Sequence, residues 1–179
     1  MAFSSIALAG FILLGIIGTT TLGMATVIYF MLIYIFSNLG AFGVASVISD
    51  YSGKENIDDY NRLYHTNPKL SLVMMLSLFS LAGIPPIAGF FGKFFLFTAA
   101  AEQGYYWLVL IAVINATISL YYYLIVVKAM FINRNDTPIA KIESGNYARF
   151  SLVICVIGIF IIGFFGKLFE YINNLSFGI

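Results

Sequence analysis

Charge is what this sequence has least of. Lysine, arginine, aspartate and glutamate make up 9% of its 179 residues, and residues 1–49 contain none of them. Water-soluble domains run near a quarter charged, so folding in water is excluded. The formal net charge is +1, which leaves no basic field for a nucleic-acid partner. There is one cysteine, Cys155, in an apolar run. It cannot form a disulfide within the chain or, alone, ligate zinc or an iron–sulfur cluster. The single histidine, His65, lies in a polar loop with no companion ligands, so no metal site is expected. Glycine-rich nucleotide motifs and cysteine clusters are missing too, and no NADH, flavin or iron–sulfur site is recognisable. The N-terminus lacks the basic region and small-residue cleavage site of a signal peptide. The chain opens directly on a hydrophobic helix, so something is expected to precede it.

What remains is long apolar segments. The chain is 61% hydrophobic and its mean hydropathy is +0.96. A membrane span needs about 20 apolar residues. The pattern predicts an all-α, polytopic membrane bundle of five transmembrane segments in one domain, residues 1–179. The first helix is expected over 4–19, with Thr19, Thr20, Thr21 and Gly23 as its turn, and the second over 24–49. A polar loop, 50–69, follows. The third segment, about 70–102, is too long for one straight span of about 30 Å. Gly83, Pro85 and Pro86 stand near its middle. It reads as two half-helices, 70–83 and about 88–102, discontinuous at 83–86, with Gly89 just beyond the break. The fourth helix is expected over 105–131 and the fifth over 149–171.

Lysine and arginine set the orientation. Lys54, Arg62 and Lys69 lie in the loop 50–69; Arg134, Lys141 and Arg149 lie in 132–149, with Lys128 at the preceding helix end. The turns between carry none. Both basic loops are therefore expected on the cytoplasmic (N) side and the C-terminus on the opposite, positive side.

Lys93 is the only charge between Lys69 and Glu102. An ionisable group inside a membrane segment is costly and is by default a functional candidate. Taking an ammonium out of water disfavours its charged form, and the positive end of the half-helix that starts near Ala88 acts in the same sense. A titratable amine at mid-membrane depth is what proton transfer across a bilayer requires. Interrupted helices recur at ion sites in transporters, and unwound backbone at that depth is tolerated only inside protein or beside a watery cavity. The alternative is that Lys93 snorkels to an interface, although its stem reaches only about one helical turn.

Other polar residues leave two readings open. Asn38 can hold water or simply glue helices, while Gly40, Gly43 and Ser46 form a slim face for a close neighbour. Asn115, Ser119 and Tyr122 fall on one helical face. They can carry a chain of waters or satisfy one another across a helix interface. Lys128 reads as a positive-inside anchor. Glu102 reads as interfacial and as a candidate to receive protons leaving the site.

The stretch Ser-Leu-Ala-Gly-Ile-Pro-Pro-Ile-Ala-Gly-Phe-Phe-Gly-Lys-Phe, residues 80–94, resembles the broken-helix signature of antiporter-like proton-translocating subunits. These occur in respiratory NADH-quinone oxidoreductase (complex I) and in multisubunit cation/proton antiporters. Ser-Asn-Leu-Gly-Ala-Phe at 37–42, Tyr-Tyr-Tyr-Leu at 121–124 and Ser-Ser-Ile-Ala at 4–7 bring the resemblance nearest to the subunit N (mitochondrial subunit 2) type. The resemblance implies a larger fold of about fourteen helices with two inverted five-helix repeats, each with a broken helix carrying a lysine. The chain matches the last five helices, so Lys93 is expected to be the second-repeat lysine and the chain to be part of a larger subunit. It also implies other membrane subunits and lipid as partners, with NADH, FMN, iron–sulfur clusters and quinone held elsewhere and no cofactor in this chain. The location implied is the bacterial, or the mitochondrial, inner membrane. Leu8 stands where such relatives often carry Gln or His. Ile125 stands where they often carry Lys or Arg, with Lys128 one turn further on. Alternative readings are a subunit of a multisubunit sodium/proton antiporter, or a structural membrane scaffold in which Lys93 pairs with a partner's carboxylate.

Overall fold

A computed structural model describes the backbone of residues 2–17, 21–164 and 166–176. The elements are α1 (Ala2–Ile17), α2 (Thr21–Ser52), a 3-10 turn (Ile57–Tyr60), α3 (Leu63–Thr66), α4 (Pro68–Ala82), α5 (Ala88–Glu102), α6 (Tyr106–Phe131), α7 (Asn146–Phe164) and α8 (Gly166–Ser176). Among the described residues the regular structure is helical throughout. Thr19 and Thr20, half of the expected first turn, lie outside the described residues.

Helix α2 is the axis of the bundle. It touches α1, α4, α5, α7 and α8. Its sequence is apolar on every side, which suits a helix surrounded by others or by lipid. The slim face expected from Gly40 and Gly43 is used. A side chain at Gly40 would collide with Ser77 of α4, and one at Gly43 would press on Leu152 of α7. Small residues thus let three helices approach closely, the usual basis of packing between apolar helices. Ser46, the third member of that series, is exposed and its hydroxyl instead lies 3.5 Å from Asp50.

One apolar cluster joins α1, α2, α4, α5 and α6 and includes Leu8, Phe11, Phe30, Leu78, Leu96 and Met130. A second joins α2, α5, α7 and α8 through Tyr29, Ile33, Ala88, Ile159 and Ile172. In it Phe95 stacks on Phe169 with ring centroids 4.3 Å apart. The Tyr29 hydroxyl donates to the Ile162 carbonyl at 2.9 Å, tying α2 to α7.

The loop 50–69 is more ordered than its polar sequence implies. It contains the 3-10 turn and α3, and Asn67 sews it to the other basic loop. The Asn67 amide donates to the Ala140 carbonyl at 3.0 Å, and its carbonyl oxygen accepts from the Ile142 N–H at 2.8 Å. Pro68 then opens α4 at the first-turn position where its missing N–H is harmless. Both basic loops therefore sit at one end of the bundle, as the charge pattern requires.

Among the described residues, three helices are long and apolar enough to cross a membrane: Gly23–Ser52, Tyr106–Phe131 and Asn146–Phe164. The outer faces of the last two are apolar as well, with Trp107, Ile111, Ile114, Phe150 and Ile157 exposed. The fifth expected helix, 149–171, corresponds to α7 together with the first part of α8.

Candidate ion-translocation site at the helix break

The third segment is interrupted where the prolines stand. Helix α4 ends at Ala82, and Gly83 adopts φ 82, a left-handed conformation that costs a residue with a side chain about 1–2 kcal/mol. Its N–H bonds back to Phe79 and Ser80, and the Ile84 N–H bonds to Phe79. This glycine cap satisfies carbonyls that the ending helix would otherwise leave open. Pro85 and Pro86 follow, both exposed, and their peptide bond is cis. Helix α5 restarts at Ala88. Gly89, on its first turn, lies so close to the Ser80 carbonyl that any side chain there would run into that backbone. The two half-helices therefore touch end against side, with a glycine on each.

Lys93 occupies the second turn of α5 and is only 5% exposed. Its Nζ donates to the carbonyls of Leu81 at 2.8 Å and Ala82 at 2.9 Å. These belong to the last turn of α4, whose final carbonyls have no partner within the helix. The break thus manufactures an oxygen site for a cation, and α5 delivers the cation to it. Nζ also lies 5.3 Å from the centroid of the Phe11 ring, on whose face an ammonium is attracted. Lys93 is turned into the bundle rather than extended to its surface, so snorkelling does not describe it.

A small apolar cavity of about 10 Å³ adjoins the Lys93 side chain. It is lined by Leu8, Phe30, Ile33, Tyr34, Ser37, Ser80, Leu81, Gly89 and Lys93. Ser37 of α2 donates to the Ser80 hydroxyl of α4 at 2.7 Å, deep in the interior. Sequence reasoning missed this pair: attention fell on Asn38, one residue away. Asn38 is half-buried and is not in the cavity wall. Leu8 is in that wall, contributing an aliphatic side chain.

The remaining sequence candidates lie elsewhere. Of the α6 stripe, Ser119 is buried, whereas Asn115 and Tyr122 are exposed on this chain. The tyrosine that turns inward is Tyr123, 3% exposed. Lys128 is exposed near the end of α6, and Glu102 is exposed at the end of α5. Among the described residues no group of acidic, histidine or cysteine side chains is arranged to hold a metal.

An apolar helical bundle with spans of membrane-crossing length, one interrupted helix and an ionisable side chain held on the broken end defines a helical membrane protein. Residues 1–119 match the family described as NADH:quinone oxidoreductase/Mrp antiporter, transmembrane. The chain is 57% identical to NADH-quinone oxidoreductase subunit N of Azobacteroides pseudotrichonymphae, over 99% of this chain and 38% of that protein. It is 51% identical to subunit N of Phocaeicola vulgatus, over 98% of this chain and 38% of the relative. NAD(P)H-quinone oxidoreductase subunit 2 of Synechococcus elongatus is 40% identical over 91% of this chain and 33% of its own length. In space the chain superposes on part of respiratory complex I from Thermus thermophilus, solved with bound aureothin. The TM-score is 0.77 at 28% identity, covering 93% of this chain and 38% of that one. The chain belongs to the NADH:quinone oxidoreductase/Mrp antiporter family of membrane proteins. It spans 38% of the length of the two subunit N relatives.

Proposed function

We propose that this chain is the C-terminal part of membrane subunit N of a proton-pumping NADH-quinone oxidoreductase, and that Lys93 carries protons across its half of the subunit. The observation behind this reading is the placement of Lys93: a buried ammonium held on two carbonyls exposed by a helix break. The names of its relatives favour the oxidoreductase over the antiporter branch of the family. In this reading electron transfer, with its NADH, flavin, iron–sulfur clusters and quinone, takes place in partner subunits. A change of charge there shifts the field along the membrane arm, and Lys93 passes a proton toward the positive side. The chain crosses the bilayer five times, with α1 as the first span and α4 and α5 together as the third. The loops 50–69 and 132–149 face the cytoplasm of a bacterial inner membrane. Asn38, Asn115, Ser119, Tyr122, Lys128 and Glu102 are candidate stations further along the path. Asn115 and Tyr122 then gain partners only when a neighbouring subunit or the rest of this subunit covers α6.

The test is NADH-driven proton pumping in membranes whose enzyme carries Lys93→Met. Assembly is checked by native electrophoresis and by NADH oxidation. Pumping is expected to fall sharply while the complex still assembles. Undiminished pumping by an assembled Lys93→Met enzyme overturns the role.

A further inference from the structure

Helix α8 has two unlike faces. Leu168, Phe169 and Ile172 turn inward and join the cluster shared by α2, α5 and α7. Lys167, Glu170, Tyr171 and Asn174 are exposed. Spaced at i, i+3, i+4 and i+7, they form one polar stripe on the other side of the helix. Lys167 and Glu170 are a turn apart, yet among the described residues neither forms an ion pair. Beside the stripe, the buried Oδ1 of Asn173 has no hydrogen-bond partner. The stripe also lies deep. A side chain at Gly163 would come within 3.0 Å of Ala88, the first residue of α5, and Phe169 stacks on Phe95 at 4.3 Å. Helix α8 therefore runs beside α5 and in the same direction, away from the helix break. Phe95 stands about 10 Å short of the end of α5 at Glu102, at 1.5 Å per residue. Lys167 and Glu170 flank Phe169 in sequence and share that depth. In a hydrocarbon core of about 30 Å such a stripe would face acyl chains. Side chains of a helix tilt toward its N-terminus. For α8 that direction is the helix break, so Lys167 leans further inward and not toward the headgroups.

We propose that the outer face of α8 is the seat of a transmembrane helix from a neighbouring subunit, which sets a carboxylate against Lys167 and a basic side chain against Glu170. Charge complementarity selects this occupant. Acyl chains offer an ammonium and a carboxylate nothing, and charges at membrane depth face other protein and pair there. Headgroups lie beyond the reach of a side chain that leans inward. Between apolar helices, where no hydrophobic force favours one neighbour over lipid, polar contacts of this kind supply the attraction. Tyr171 and Asn174 give the incoming helix further hydrogen-bonding groups. The partner helix carries the mirror of the stripe, its acid nearer the helix break and its base one turn toward the end of α5. A helix seated upside down would bring like charges together, so the pair fixes direction as well as strength. The seat is separate from the lysine at the break: α8 contributes no residue to the lining of the cavity beside Lys93.

The assembled enzyme in its own membranes provides the test. The photoreactive residue p-benzoylphenylalanine replaces Tyr171, which leaves both charges of the stripe in place. Irradiation is expected to join this chain to another membrane subunit, with the joined peptide identified by mass spectrometry as part of a transmembrane helix bearing a carboxylate. Lys167→Glu is then expected to make this subunit leave the detergent-extracted enzyme about tenfold faster or more, the loss that follows breaking a buried charge pair. Changing the carboxylate of the joined helix to lysine is expected to restore retention. A crosslink confined to lipid, or to this same polypeptide, overturns the proposal. Normal retention of both Lys167→Glu and Glu170→Lys overturns it as well, and so does a Lys167→Glu defect that the acid-to-lysine change on the joined helix does not relieve. The same crosslink is expected in the Lys93→Met enzyme whatever its pumping, so the proton role of Lys93 and the seat on α8 stand or fall separately.

Discussion

Helices α4 and α5 on one hand and α6 on the other are built from similar material and end up in opposite surroundings. Both regions are apolar stretches of membrane-spanning length with a few polar residues inside. The α4–α5 stretch is broken after Ala82, and Lys93, the charge in its interior, is buried. The 26 residues of α6 run unbroken, and its Asn115 and Tyr122 remain exposed on this chain. A continuous helix satisfies its own backbone and offers a side chain nothing but neighbouring side chains. A broken one offers carbonyls. Breaking a helix in an apolar setting therefore creates a place where a cation is at home, and composition alone does not.

The comparison can be attacked from the side of the break. Gly89→Val is expected to have the largest effect, because its side chain meets the Ser80 backbone, which cannot move aside as a flexible side chain would. A loss of about 3 kcal/mol, the upper end for overpacking, is expected, read as failed assembly or a depressed thermal midpoint of the solubilised complex. An assembled Gly89→Val enzyme of ordinary stability breaks the account of how the half-helices meet. Gly83→Ala comes next. The left-handed backbone costs about 1–2 kcal/mol, and the added carbon comes within 3.1 Å of the Lys93 side chain. Asparagine tolerates that conformation better, so Gly83→Asn is expected to retain more stability than the alanine variant. Equal losses would place the effect in space rather than in backbone conformation. Tyr122→Phe on α6 is expected to change stability by no more than about 0.5 kcal/mol. A loss as large as that of Gly83→Ala would show that α6 has a polar partner in the assembled enzyme, and would sharpen the contrast into one between a site complete within this chain and one completed by others.

The break was legible in the sequence because glycine and proline act locally. Gly83, Pro85 and Pro86 announce an interruption wherever they stand, and the second half-helix runs over 88–102 as their position implies. Lys93 was legible through its isolation among apolar residues. The slim face at Gly40 and Gly43 was visible too, since spacing alone sets which residues share a side. The Ser37–Ser80 pair was not legible, because its partners are 43 residues apart and meet only when α2 crosses α4. The Tyr29 bond to Ile162 spans 133 residues and was hidden for the same reason. On α6 the helical period put Tyr122 on the face of Ser119, yet Tyr123 is the one turned inward. A spacing rule fixes which residues share a face. It does not fix how far that face is rotated toward its neighbours.

The two carbonyl bonds of Lys93 have a mechanical consequence. A neutral amine has two N–H groups left, the number needed to hold Leu81 and Ala82. The side chain can thus serve as a cross-brace between the two half-helices in either protonation state. Unloading its charge need not unload the strut, and a cycle of protonation can run at this position without the surrounding scaffold having to come apart and reassemble at each turn.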